Sequence, residues 1–533
     1  MKDRKKIEKK INRKNKIKKM RQVKLLITIF MMLVCATSNA QDAAIKKIIE
    51  IGQNDNRTMY YLDILTNRFG GRLTGSGAYE DARDWVVKEF KEMGLEVKLE
   101  EAGQVPVGFN RGPWFGRMLG EESMNLHFVT PSCTSGTHGI QRGHVVCEPQ
   151  SRAEFNRMKG LIKGAWVLVE GLNSGWPLYM NAKEDSIRQA IIAENEVIAK
   201  ENAEGRMKAY QNRTEFTPKP LKKRPGLFMK EMIEAGALGF IQRSEVPLRA
   251  LYDRPMMNDM SVTFDKLPTW CDIKLDAAQY DKIRKMAEER RDIQLEFDIR
   301  NHFRMGPIKY HNVVATIKGT EKPEECIIIG AHLDAFDSAT GGVDDGNGIC
   351  VLMETARQIM ASGAKPKRSI VFVAFAAEEF GLFGSLAYVK AHKNQMPNVV
   401  NMFNRDGGPL APTAIRVPEE WYDDMVKVCE PVKQIRADYP FEVVKVPARR
   451  QPTAPGGSDD SSFGMAGVPT CGFTLTDPEG LNFDYGEIWH TERDVMNKSI
   501  AQYNEHASTV TAVVALGMAN LKKRLPASAV YSK

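Results

Sequence analysis

The stretch CIIIGAHLDAFDSATGGVDDGNG, residues 326–348, joins a short aliphatic run to a histidine, an aspartate and a glycine-bracketed Asp-Asp pair. The run reads as a strand buried on both faces. A strand end crowded with carboxylates is either a solvated surface or a place for a cation, and the rest of the chain has to decide which.

Outward from this stretch, the same kind of run recurs. HNVVATIKG (311–319), SIVFVAFAAEE (369–379), VVNMFNRDG (399–407) and VPTCGFTLT (468–476) are β-rich and apolar. Helical patterns, GICVLMETARQIMASG (348–363) and FGSLAYVKAH (383–392), lie between some of them. Apolar strands alternating with helices predict an α/β fold, a mostly parallel sheet covered by helices on both faces. Upstream, AYEDARDWVVKEFKEMGLEV (78–97) has helical spacing at Trp85, Val86, Phe90 and Met93, with Gly94 as its stop and the strand EVKLEEA after it.

The middle of the chain breaks this rhythm. It has its own short strands, HVVCEP, GAWVLVEG and ALGFIQRS, a charged helical stretch around 184–210 and the basic loop KPLKKRPG. A β-rich block flanked by two pieces of one α/β pattern reads as an inserted domain. We therefore divide the 533 residues into a leader (1–40), a first part of the main domain (41–118), an insert (119–300) and a second part (301–533) that carries the site.

The formal charge of +8 does not indicate a nucleic-acid partner. Residues 1–24 alone carry a net +11, so the remainder is mildly acidic at −3. The basic start followed by LLITIFMMLVCATSNAQD has the pattern of a secretory signal, cleaved after Ala40. Its apolar core is too short to span a bilayer, so no permanent membrane span is expected and the protein should be secreted or periplasmic. Seven scattered cysteines beyond the leader, with no CxxC, suit neither a disulfide scaffold nor a thiolate metal site.

Ligands of an open parallel sheet bind beyond the carboxyl ends of its strands. His332 and Asp334 follow one strand, Glu378 and Glu379 a second, and Asp406 ends a third. Asp344 lies in the glycine-rich loop before helix 348–361, and His490 in GEIWHTERD after VPTCGFTL. Singly, each has an ordinary explanation: a hydrogen-bonded histidine, a solvated Glu pair, a turn with a helix cap. Their convergence on one edge is what points to a site. Two imidazoles with several carboxylates and no thiol match zinc at a catalytic centre, whereas calcium or magnesium would be held by oxygens alone.

The glycines around Asp344 would let its carboxylate be held between two cations, a known arrangement for hydrolysis. Adjacent side chains in extended backbone face opposite ways, so Glu378 and Glu379 should divide the work, one on metal and one as general base. No G-x-S-x-G elbow, P-loop or GxGxxG offers other chemistry.

Taken together, GAHLDAFD…GGVDDGNG, FAAEEFGLFGS, NRDGG, GGSDDSSF and WHTERD resemble the secreted dizinc exopeptidases of the bacterial leucyl aminopeptidase and carboxypeptidase Q (plasma glutamate carboxypeptidase) type. LTNRFGGRLTGS (65–76) resembles their N-terminal segment, and the insert is similar to a protease-associated domain. The resemblance implies a zinc exopeptidase fold, a short peptide or dipeptide as substrate and two zinc ions as cofactors. It further implies Asp344 as the bridging ligand, His332 and Asp406 on one ion, Glu379 and His490 on the other, Glu378 as general base and Asp334 as the residue that orients His332. One departure stands out: where relatives often read Ser-Asp-His, this chain has Asp460. Two other readings remain at this point, a single-zinc acyltransferase of the glutaminyl cyclase kind and a non-catalytic peptide-binding ectodomain. Arg405, Arg449 and Arg450 are candidates to anchor a substrate carboxylate.

Overall fold

The computed structural model describes residues 41–178 and 182–532. The expected secretory leader, 1–40, lies outside the described residues. Among those described, no helix is long and apolar enough to cross a membrane.

Five strands form the sheet that carries the site: β1 (Glu96–Val105), β2 (Ile308–Ile317), β3 (Lys322–His332), β4 (Arg368–Phe375) and β5 (Val399–Asn404). Their spatial order is β1-β2-β4-β3-β5. β3 runs parallel to both β4 and β5, while β2 is antiparallel to β1 and to β4. The parallel pairing thus belongs to the three strands whose carboxyl ends carry the candidate residues.

Both faces of these strands are buried, and the period-2 alternation of side chains assigns each residue to a face. Ile327, Ile329, Ile370 and Phe372 point into the larger core. That core is roofed by α1 (Gly77–Glu92), α2 (Gly346–Ala361) and α3 (Ala501–Ala519). Ile328, Val371, Val373 and Phe375 point the other way, against Tyr388 and Phe463 from the helices Phe383–Ala391 and Asp460–Met465. The expected α/β architecture with helices on both faces is what the chain adopts.

Between β1 and β2 the chain builds a second, eight-stranded sheet with every strand drawn from residues 114–299. Its first strand starts at Trp114, ahead of the expected boundary at 119. Trp166, Ile273 and Phe297 fill one face and Val167, Phe228 and Phe240 the other, so it has cores of its own. The charged stretch expected to be helical is the 31-residue helix Ala182–Asn212. It holds the returning loop through paired hydrogen bonds of Asn195 with Lys222 and Asn202 with Lys219.

One expected strand belongs elsewhere. Phe473–Thr476 pairs with Ala411–Val417 in a separate three-stranded sheet, and the run before it meets β5 through the Asn401 side chain on the Cys471 main chain. Pro469 and the glycine at 472 interrupt the apolar run, which shortens the strand and lets it change sheets. All seven described cysteines are free and none forms a disulfide.

His506, buried on α3 with its ring edge-on to Tyr439 at 5.0 Å, titrates at about 4 because burial disfavours its charged form. The unfolded chain then binds this proton more tightly than the folded one between pH 4 and the ordinary histidine value, so stability should fall as pH drops through that window. The full effect is up to about 3 kcal/mol. Chemical denaturation from pH 7 to pH 4 should show this loss, and His506→Phe, which keeps a ring against Tyr439, should flatten it.

Candidate metal centre

At the carboxyl end of β3 the main chain is fixed before any side chain reaches the site. Asp345 accepts hydrogen bonds from the His332 N–H at 3.1 Å and from the Gly348 N–H at 2.9 Å, capping α2 and tying it to the strand. Arg72, fully buried, donates to the carbonyls of Leu333, Thr340 and Gly341, and so pins both ends of the intervening loop. Asp494 accepts from the Val343 N–H at 2.6 Å and lies 3.3 Å from the Asp344 N–H. Burial pushes Asp494 up to about 8. The Asp344–Asp345 peptide is cis.

On this frame Asp344 is placed between two imidazoles. Its Oδ1 lies 3.1 Å from His332 Nε2 and its Oδ2 lies 3.5 Å from His490 Nε2. Asp406 Oδ2 is 3.8 Å from His332 Nε2, and Glu379 Oε2 is 3.1 Å from His490 Nε2. Two donor sets result, His332, Asp344 and Asp406 in one and Asp344, Glu379 and His490 in the other, each with its donor atoms within 4.8 Å of one another. Glu378 reaches the same space, its Oε2 lying 3.9 Å from His332 Nε2. His490 has a left-handed backbone, φ 57°, and its ring packs edge-on to Phe336 at 4.7 Å.

Glu378 and Glu379 divide the space differently from the extended-strand expectation. β4 ends at Phe375, and the chain turns through Ala377 at φ 54°, so the pair sits in a turn. Glu378 takes the His332 side and Glu379 the His490 side. Asp334 does meet His332, but through its main chain. Its main-chain carbonyl lies 2.8 Å from His332 Nδ1, while its carboxylate Oδ1 is 3.9 Å away and accepts the Glu378 N–H. One residue thus positions both the imidazole and the neighbouring glutamate.

The carboxylates gathered here are withdrawn from water. Burial pushes Glu378 well above the usual carboxylate range, Asp406 upward and Glu379 to about 7, with only partial relief from the histidines. Asp344 alone falls below its ordinary value: burial acts to raise it, but the His332 hydrogen bond and the charges of both histidines outweigh that. The buried Oε1 of Glu379 and Oδ2 of Asp334 have no hydrogen-bond partner. Clustered carboxylates withdrawn from water are costly unless cations sit among them, and the nitrogen and oxygen donors fit zinc.

The site opens into a cavity of about 940 Å³ lined by Asp344, Glu378, Glu379, Asp406, Asp460 and His490. Tyr485 lines it too, as do Trp176, Arg249 and Tyr252 from the 114–299 segment. None of these four was singled out from sequence, since a lone aromatic or basic residue carries no local signal. Of the arginines that were, Arg405 is buried and bonded to the carbonyls of Gly408 and Leu410, and Arg449 donates to Thr470. Arg450 is exposed on the short strand Arg449–Arg450.

Such a fold and donor set define a metallo-exopeptidase hydrolase. Residues 312–515 match the model of peptidase family M28. Carboxypeptidase Q from Mus musculus is 25% identical over 500 residues, covering 92% of each chain. Among solved structures, a peptidase M28 precursor from Shewanella amazonensis superposes with a TM-score of 0.56 at 20% identity, over 92% of this chain and 99% of that one. A zinc aminopeptidase from Bacillus subtilis does so with a TM-score of 0.50 at 14% identity, over 89% and 97%. These two likenesses establish the fold.

Gly348 marks how tightly the frame is built. A Cβ there would lie 1.9 Å from the Arg405 carbonyl oxygen and 2.3 Å from the Asp345 carboxylate. Gly348→Ala should therefore cost about 3 kcal/mol or more, seen as a lower midpoint in thermal unfolding. Gly160→Ala, in a helix with open space at that position, should be neutral or mildly stabilising in the same assay.

Proposed function

We propose that the chain is an exported exopeptidase that hydrolyses short peptides or dipeptides with two zinc ions. The observation that carries this reading is the sharing of Asp344: one buried carboxylate contributes an oxygen to each of two complete donor sets. His332 and Asp406 would hold one ion and Glu379 and His490 the other. Zinc at such a site polarises a peptide carbonyl and makes water a nucleophile near neutral pH.

The remaining steps fall to the protein. Glu378 lies beside the donor sets but belongs to neither, and its buried carboxylate favours the proton. It is placed to take a proton from the attacking water and to return it to the leaving amine. The Asp334 carbonyl fixes the tautomer of His332 by accepting from Nδ1, which leaves Nε2 for metal. Asp334 also holds the Glu378 main chain, so general base and ligand are registered to each other.

The presence of His332 and Asp406 as a second donor set favours this reading over the one-zinc acyltransferase. Export rests on the leader pattern of residues 1–40. We assign the 114–299 segment to the protease-associated type of insert, supported by its separate cores and its place between β1 and β2.

The test is purified 41–533 assayed on aminoacyl chromophores, N-blocked peptides and free dipeptides. Chelation should abolish turnover and zinc should restore it. Glu378→Gln should lower kcat by about 10²-fold or more with zinc content unchanged. Activity that survives both changes would contradict the proposal.

A further inference from the structure

The 114–299 segment brings two arginines to the cavity, and they differ from several arginines of that segment that are held in ion pairs. Arg117 and Arg142 share Glu296, Arg243 pairs with Asp281, and Arg284 pairs with Glu170 and Glu288. Arg249 and Arg254 have no carboxylate partner among the described residues, yet both line the cavity of the metal centre. Each guanidinium is held over an indole: Arg249 at 5.0 Å from the Trp489 ring, Arg254 at 5.6 Å from the Trp176 ring. Stacking orients a guanidinium and leaves its in-plane N–H fork available for a planar, bidentate acceptor.

Arg249 is also built in. Its carbonyl accepts from Asn173 Nδ2 at 2.7 Å, and its main chain bridges to Thr491, next to His490. Leu248 and Glu492 exchange two further hydrogen bonds alongside. Gly175 makes room for the stem, since a Cβ there would lie 3.1 Å from Arg249 Cγ and 3.2 Å from its Cδ. The side chain is half-buried, which weakens competition from water. Trp489, under the guanidinium, has its ring centroid 4.4 Å from that of His490. Arg249 is therefore two ring contacts away from the donor sets. That spacing suits a substrate only one or two residues long beyond the bond to be cut, since successive Cα atoms are about 3.8 Å apart.

We infer that Arg249, assisted by Arg254, binds a carboxylate of the peptide substrate and so selects free dipeptides and short free-acid peptides over amidated or aminoacyl substrates. The inference rests on the exopeptidase reading above and makes the insert part of the specificity pocket. None of the acidic residues lining the cavity is paired with Arg249, whose guanidinium lies over Trp489. The carboxylate could be the C-terminal one or an acidic side chain, and the substrates below separate the two.

The experiment compares the zinc-loaded wild type with Arg249→Met and Arg249→Lys on four substrates: a free dipeptide, its C-terminal amide, an amidated dipeptide with an N-terminal aspartate, and an aminoacyl chromophore. Arg249→Met should lower kcat/KM for the free dipeptide at least tenfold, chiefly through KM, and change the plain amide and the chromophore by less than twofold. Arg249→Lys should recover part of the loss. A selective loss on the aspartyl amide instead would identify a side-chain carboxylate as the group bound. Arg254→Met should repeat the pattern more weakly, and thermal melting separates misfolding from lost recognition. Equal losses on all four substrates, or no loss on any, would overturn the inference while leaving the peptidase reading standing. A wild type that cleaves none of them after zinc loading would overturn the peptidase reading, and this inference with it.

Discussion

Everything at this centre depends on one buried aspartate whose two oxygens face two different histidines. Asp344 cannot be moved or reoriented independently, because its neighbours are fixed by contacts from distant parts of the chain. Arg72 comes from the N-terminal segment, Asp494 from the last loop before α3, and Asp345 ties β3 to α2. Carboxylates this deeply buried would destabilise a protein that lacked cations to place among them. The fold accepts that cost here and concentrates it where catalysis needs charge, which is the expected relation between local strain and function.

The second sheet is more than an appendage. It is stabilised by its own cores, so it can be carried between β1 and β2 without disturbing the main domain. The loop after its strand Gly239–Ser244 lies against the loop of His490 through the Arg249–Thr491 bridge and the Leu248–Glu492 hydrogen bonds. Whatever reaches the metal donors therefore passes residues of both units.

Much of this was legible in the sequence. The alternating apolar runs located the strands of the central sheet, and the acids and histidines at their ends located all seven candidate residues in one cavity or directly behind it. Local pattern failed where geometry departs from regular backbone. The turn at Ala377 takes Glu378 and Glu379 out of the strand, so the alternation rule did not apply to them. Asp334 acts through its main chain as much as its side chain, which residue type cannot reveal. Arg72, Asp494 and Arg249 were missed because their roles arise from contacts over long separations, and an isolated arginine or aspartate has no local signature. The strand Phe473–Thr476 was correctly read as extended but placed in the wrong sheet, since apolar runs do not specify their partners.

The sharing of Asp344 is tested most directly by metal content. Purified, zinc-equilibrated 41–533 should hold about two zinc ions per chain, and Asp344→Ala should fall below one, because the lost carboxylate belongs to both donor sets. His332→Ala should retain about one, at Glu379 and His490. A wild type that binds one ion, and an Asp344→Ala variant that keeps it, would contradict the account.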